Sequence, residues 1–126
     1  MKKVRHPDRL GLRVRLVLGA EVALGPGKAD LLEGIAETGS IAAAGRRMGM
    51  SYKRAWLLTE SMNRMFAKPL VDASKGGVHG GGAALTPLGR RMLDAYRRLE
   101  RHATQAGAAE LAAIRRALVQ RRGEDT

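Results

Sequence analysis

The sequence predicts a mostly α-helical fold with a small β component, in the form of a winged helix-turn-helix. Two helical patterns flank a tight turn at Met48-Gly49-Met50, which is the arrangement of a helix-turn-helix. Two short strand patterns within residues 70–85 enclose a glycine-rich loop, as in a β-hairpin wing. An apolar stripe at helical spacing then predicts a long C-terminal helix. We therefore expect the winged helix-turn-helix over residues 11–87 and one or two dimerisation helices over residues 88–119.

An N-terminal β-hairpin is predicted ahead of the first helix. Apolar residues alternate with mostly polar ones over residues 12–18, and a period of two is typical of a half-buried strand. Gly19-Ala20 can turn the chain, so that residues 21–24 return as a second strand. We expect residues 1–10 to form a flexible N-terminus and residues 120–126 a flexible, charged tail.

Turn and capping residues predict the bounds of the next two helices. Pro26 suits the first turn of a helix, because the amide that it lacks is unpaired at that position anyway. The buried stripe of this helix is predicted to consist of Leu31, Leu32, Ile35 and Ala36. Gly39 is the predicted left-handed cap at its end, and Ser40 is the predicted N-cap of the following helix.

The second helix of the helix-turn-helix, over about residues 51–66, is the predicted recognition helix. Ser51 can cap it by accepting a hydrogen bond from a first-turn amide. The helical period places Tyr52, Ala55, Trp56, Thr59, Met62 and Phe66 on one face. The other face carries Lys53, Arg54, Leu57, Ser61 and Arg64. We expect Trp56 to pack in the core, because it shares its face with Ala55 and Met62.

The C-terminal helix begins at a second strong capping signal, with Thr86 as N-cap and Pro87 in the first turn. Its apolar stripe either covers the protein's own core or forms the seam of a homodimer, and we favour the dimer. The predicted interface residues are Leu88, Met92, Tyr96, Leu99 and Ala103. The arginines around this stripe are expected to serve solubility, namely Arg90, Arg91, Arg97, Arg98 and Arg101.

The charge of the chain indicates a polyanionic partner. Its 23 lysines and arginines against 12 acidic residues give a net charge of +11, which favours nucleic acid or an anionic membrane surface. The chain contains no cysteine, which excludes disulfides and thiolate metal sites and fits a cytoplasmic, nucleoid-associated protein. No apolar run approaches the roughly 20 residues of a membrane span.

The sequence contains no recognisable catalytic constellation. It has no nucleophile elbow and no histidine paired with a carboxylate at a familiar spacing, and its three histidines are scattered. The glycine-rich loop lacks the Gly-Lys-Ser/Thr ending of a nucleotide-binding P-loop. His79 has no second ligand at a useful spacing. We therefore expect neither an enzyme nor a metal or cofactor site.

Several short motifs follow one another in fixed order within residues 24–93. They include the run SYKxAW from Ser51 to Trp56, the pair Met62-Asn63, and the glycine-rich loop. With these motifs the chain resembles the N-terminal DNA-binding domain of ModE-type molybdate-responsive transcription regulators. The resemblance implies a homodimer on a palindromic operator, with the SYKxAW helix in the major groove and the wing along the backbone. Full-length regulators of this type add molybdate-binding domains, for which we expect no room in this chain.

The predicted DNA-binding residues come from the recognition helix, the preceding helix and the wing. An arginine such as Arg54 can pair with guanine O6 and N7, whereas a lysine such as Lys53 more often contacts phosphate. Ser51 and the free amides near it can hold a phosphate, and the hydroxyl of Tyr52 can lie near another. The full set is Arg46, Arg47, Ser51, Tyr52, Lys53, Arg54, Arg64, Lys75, Gly76 and Gly77. The alternative for each basic residue is a solvated position on the surface.

Three functional hypotheses remain open at this point. The first is a sequence-specific DNA-binding transcription regulator of the ModE type that acts as a homodimer. The second is a protein that binds molybdate, tungstate or another oxyanion and uses the winged helix as a scaffold. The third is a DNA-binding module that works with a separate sensor subunit.

Overall fold

A computed structural model describes residues 11–20, 23–74 and 82–119. The predicted flexible ends lie outside these residues, as does the predicted wing loop with Lys75, Gly76, Gly77 and His79. In chain order the elements are β1 (Leu16–Val17), β2 (Ala23–Leu24), α1 (Pro26–Thr38), α2 (Ile41–Arg47), α3 (Tyr52–Met65), β3 (Val71–Ser74), β4 (Gly82–Leu85), α4 (Pro87–Ala106) and α5 (Ala108–Ala117). The predicted winged helix-turn-helix with an N-terminal hairpin and a long C-terminal helix is confirmed.

The N-terminal hairpin is shorter than its alternating sequence suggests. Leu16 pairs with Leu24 and Val17 with Ala23 in an antiparallel ladder, whereas the alternation predicted a strand over residues 12–18. The ladder stops here because the returning strand runs directly into α1 at Pro26, which has no amide to donate. Val17 lies on the solvent-facing side of the hairpin, and 67% of it is exposed.

The core is mostly aliphatic, with Tyr96 as a buried aromatic side chain, and it lies between α1, α2, α3, α4 and the base of the wing. Fully buried side chains include Leu31, Leu32, Ile35, Met62 and Leu70, and each contributes about 1.5–3 kcal/mol by leaving water. Small residues where α2 crosses α1 and α3 allow the helix backbones to approach closely. A Cβ atom built on Gly34 would lie 3.0 Å from Cβ of Ala44, and one on Gly45 would lie 2.9 Å from Cβ of Ala55.

The predicted helix caps are confirmed. Ser40 Oγ accepts from the Ala43 amide at 3.1 Å, and Thr86 Oγ1 accepts from the Gly89 amide at 2.9 Å. Gly39 ends α1 in the left-handed region with φ of +71°. Each side-chain cap is worth about 1 kcal/mol, and together they fix where α1 ends and where α2 and α4 begin.

The start of α4 is locked against the segment that leads into the wing. The Thr86 amide donates to the Leu70 carbonyl at 2.9 Å, and Thr86 Oγ1 donates to the Pro69 carbonyl at 2.7 Å. Gly89 lies so close to this segment that a Cβ atom there would be 2.0 Å from the Leu70 carbonyl oxygen. The segment before the wing and the start of α4 are therefore held together by these contacts.

Arg97 corrects the prediction that the arginines of α4 serve only solubility. Its guanidinium contacts Asp30 at 2.7 Å, Glu33 at 3.2 Å and Glu100 at 3.0 Å, and its side chain is 18% exposed. Burial alone would lower the pKa of Arg97, but its hydrogen bonds to Asp30 and Glu100 raise it. Arg13 also reaches Asp30, at 3.3 Å. The charge of Arg97 therefore joins α4 to α1.

Within the described ranges, no helix has the length and apolar character needed to cross a membrane. The same ranges contain no group of three or more histidine or acidic side chains placed to hold a metal ion.

Candidate nucleic-acid interface

The turn between α2 and α3 is compact and hydrogen-bonded. The Met48 and Met50 amides both donate to the Gly45 carbonyl at 3.0 Å, and Gly49 takes a φ of +69° that favours glycine. Because Gly45 also meets Ala55 closely, α3 cannot slide along α2 without a clash. The first turns of α3 are thus held in one orientation by α2.

The buried face of α3 consists of Ala55, Thr59 and Met62. Thr59 lies inside the protein with its hydroxyl bonded to the Ala55 carbonyl at 2.8 Å. The prediction that Trp56 packs in the core is wrong, since 42% of it is exposed. Trp56 follows Ala55 by about 100° around the helix, which places it at the edge of the buried face rather than inside it.

The outer face of α3 carries the residues predicted to contact DNA. Lys53, Arg54 and Arg64 are exposed, and so is the predicted contact Tyr52. Leu57 lies between the basic residues and is 50% exposed. Lys53, Arg54 and Leu57 line one shallow surface depression with Ser51. The first half of α3 therefore presents two positive charges and large apolar groups together.

Ser51 acts as the N-cap of α3, as the sequence predicted. Its Oγ accepts a hydrogen bond from the Arg54 amide at 3.1 Å. Because that bond uses the hydroxyl as an acceptor, the hydroxyl proton can still be donated to a phosphate oxygen. The cap also fixes the backbone on which Lys53 and Arg54 are carried.

The two arginines at the end of α2 differ in their surroundings. Both are exposed, but Arg47 pairs with Glu37 of α1 at 2.7 Å. Of the two, Arg46 is therefore better placed to meet an external anion.

Asn63 joins α3 to the wing, a role that the sequence did not predict. Its Oδ1 accepts from the Leu70 amide at 2.9 Å and the Val71 amide at 3.0 Å. Its Nδ2 donates to the Val71 carbonyl at 3.0 Å. An asparagine near a helix C-terminus, seven residues before an apolar pair that begins a strand, is the pattern that could have revealed it.

The wing strands pair in register from Val71 with Leu85 to Ser74 with Gly82. The base of the wing is bonded to the helix-turn-helix, because the Ala83 amide donates to the Gly39 carbonyl at 2.9 Å. The predicted contacts Lys75, Gly76 and Gly77 lie outside the described residues.

The predicted dimer-interface residues divide into two groups. Leu88 and Met92 pack against the protein's own core, and Tyr96 is 2% exposed with its hydroxyl donating to the Val14 carbonyl. A partner chain could reach little of Tyr96, so its assignment to the interface is corrected. Leu99 is 39% exposed and Ala103 is partly exposed, and both remain accessible to a partner.

Comparison with known proteins relates the sequence to a protein named for molybdenum-pterin binding and to transcriptional regulators named ModE. It is 46% identical over 88 residues to "Molybdenum-pterin-binding protein MopB" of Rhodobacter capsulatus, covering 70% of this chain and 31% of that protein. It is 42% identical over 76 residues to "Transcriptional regulator ModE" of Haemophilus influenzae, covering 60% and 30%. With "DNA-binding transcriptional dual regulator ModE" of Escherichia coli K12 the identity is 41% over 71 residues, covering 56% and 27%.

The matched region is the N-terminal part of these relatives, so the chain spans less than a third of their length. None of them is named as an enzyme, in agreement with the expectation from the sequence. No protein-family model matches the chain. Among solved structures, the crystal structure of the CbnR DNA-binding domain in complex with DNA matches with a TM-score of 0.55 and 25% identity, covering 69% of this chain and 94% of that one.

Proposed function

We propose that this chain, a homologue of the N-terminal part of ModE-type regulators, is a sequence-specific DNA-binding transcription regulator. One observation carries the proposal. The first half of α3 packs closely on α2 and presents Lys53 and Arg54 outward, while its other side is buried. An exposed basic helix of this kind has the size and charge to enter the major groove.

Within the groove, we assign Arg54 to base recognition and Lys53 to a base or a nearby phosphate. A guanidinium can donate two parallel hydrogen bonds to guanine O6 and N7. Leu57 and Trp56 are apolar and exposed on the same helix, and an apolar side chain can contact the methyl group of thymine. The surface of α3 thus favours sites that contain both guanine and thymine.

Contacts with the DNA backbone are assigned to residues at the two ends of α3 and at the end of α2. The hydroxyl of Ser51 and the side chains of Arg46 and Arg64 are suited to phosphate oxygens, which position a protein without reading sequence. The wing extends this contact along the backbone, because Asn63 and Gly39 hold its base beside α3 and α2. We retain Lys75, Gly76 and Gly77 as its predicted contacts.

We also propose that the regulator acts as a homodimer on a palindromic operator. The exposed apolar residues of α4 and the segment after it include Leu99, Ile114 and Leu118, and they offer a surface for a second copy. A two-fold dimer would place its two α3 helices about 34 Å apart, one turn of DNA, or a multiple of that distance.

The proposed function is tested by a gel-shift assay on DNA from the protein's own promoter region and on sites selected from a random library. Lys53→Ala with Arg54→Ala should weaken cognate binding at least tenfold and relax the sequence preference. The reason is that each good bidentate contact between a side chain and a base is worth about 1–3 kcal/mol. The matched control is Arg115→Ala with Arg116→Ala, which removes the same charge from α5. If the α3 variant selects and binds the same DNA as the parent, α3 is not the recognition helix.

A second candidate function is favoured by the names of the relatives, which concern molybdenum binding, transport and regulation. In this case the chain would bind molybdate or tungstate itself. Calorimetry with either anion should then give saturable heat, and no heat at millimolar concentration would exclude it. If the chain binds neither anion, the regulatory signal would come from a separate sensor subunit, which co-purification from the native cell would identify.

A further inference from the structure

A small groove lies beside α3, between the N-terminal hairpin and the start of α1. It encloses about 220 Å³ and is lined by three cationic side chains, those of Arg15, Lys28 and Arg54. Met48, Met50 and Leu58 form apolar parts of its wall.

The charged side chains among the described residues that line the groove are all cationic. No carboxylate is found among the described residues that line it. Burial lowers the pKa of Lys28, and the nearby charge of Arg15 lowers it further. An anion in the groove could accept charge-assisted hydrogen bonds from these cations.

The stem of Arg15 lies against the start of α1. A Cβ atom on Gly25 would lie 3.5 Å from Cγ of Arg15, so the arginine stem runs directly over the residue that precedes α1. Lys28 follows in the first turn of α1, and Arg54 comes from the first turn of α3. Three separate segments therefore converge on one position.

We propose that this groove binds a phosphate of the DNA backbone next to the major groove that α3 enters. The inference rests on the proposed function and extends its contact surface to the N-terminal hairpin and α1. Arg54 belongs both to the groove and to the exposed start of α3, so a phosphate held here lies beside the bases that α3 reads. Arg15 and Lys28 position the protein on the duplex and carry no sequence preference.

The test measures how DNA affinity depends on salt for the full chain and for Arg15→Gln and Lys28→Gln. Glutamine keeps much of the length of each side chain and removes the charge. Each variant should reduce the slope of log affinity against log salt concentration by about 0.9 and weaken binding roughly eightfold at 0.1 M salt. The loss should be equal for cognate and random DNA, unlike that of the α3 variant. Arg116→Gln on α5 is the matched control and should leave the slope unchanged.

Two outcomes separate this inference from the proposed function. If the parent binds its operator and both groove variants keep its slope, the groove makes no phosphate contact and the inference is overturned, while the function stands. If the parent binds no DNA, a titration with inorganic phosphate followed by NMR decides. Saturable shifts at Gly27 and Lys28 that Lys28→Gln removes would support an anion site for free oxyanion, and unchanged spectra would overturn the site altogether.

Discussion

Arg97 illustrates how much the role of one residue depends on its neighbours in space. In sequence it stands among five arginines of α4 that share the same apparent setting, yet it pairs with Asp30 and Glu33 of α1 as well as with Glu100. The two acids of α1 lie more than sixty positions before Arg97 in the sequence, so no local pattern indicates these contacts. The sequence predicted the helix and its apolar stripe, but the partner of Arg97 required the packing of α4 on α1.

Tyr96, next to Arg97, gives a prediction about pH. Burial, with a smaller effect of Glu100, raises the pKa of its phenol from the ordinary 10.0 to about 12. The folded state therefore holds this proton more tightly than the unfolded state does. Its contribution is complete below pH 10 and is lost as pH rises toward 12, by on the order of 2 kcal/mol.

Urea unfolding between pH 8 and pH 11.5 checks this expectation against Tyr96→Phe. The variant lacks the hydrogen bond to the Val14 carbonyl, so it should be less stable near neutral pH by about 1 kcal/mol. Its stability should then fall less steeply than that of the parent above pH 10. Parallel curves for the two proteins would mean that Tyr96 is not the group responsible.

At the scale of elements, local signals were sufficient for the order and the ends of helices. Ser40, Ser51 and Thr86 cap the helices that they were predicted to cap, because a cap depends on residues within one turn. The orientation of a helix about its own axis depends on what it packs against. Gly45 and Ala55 set the line along which α3 meets α2, and that line leaves Trp56 at the edge, where periodicity alone had placed it inside.

The connection between α3 and the wing gives a prediction at this scale. Asn63→Ala removes three hydrogen bonds to the backbone of Leu70 and Val71, both of which are buried. Because these groups would be left unpaired, we expect a loss of about 2–4 kcal/mol in the free energy of unfolding, measured with denaturant. Asn63→Asp keeps the accepting oxygen and should lose less. An unchanged midpoint for Asn63→Ala would show that the wing is held by other contacts.

At the scale of the whole molecule, the exposed part of the apolar stripe of α4 predicts where the proposed homodimer forms. Leu99→Glu should weaken the proposed dimer more than 100-fold, since burying an unpaired carboxylate costs several kcal/mol. Analytical ultracentrifugation would detect the monomer. Leu57→Glu is the matched control, because it makes the same change at an exposed leucine of α3 and should impair DNA binding while the dimer persists. A parent protein that sediments as a monomer at all concentrations would contradict the predicted seam.

The charges available to bind a polyanion and the charges that stabilise the fold lie at different depths in this molecule. The cations on α3 and at the mouth of the small groove are exposed or partly exposed, so added salt screens them and weakens their hold on a polyanion. Asp30 and Arg97 are 6% and 18% exposed, and salt screens such a pair far less. Raising the ionic strength should therefore dissociate the proposed DNA complex long before it weakens the contact between α1 and α4, so that the proposed binding would be reversible by salt alone.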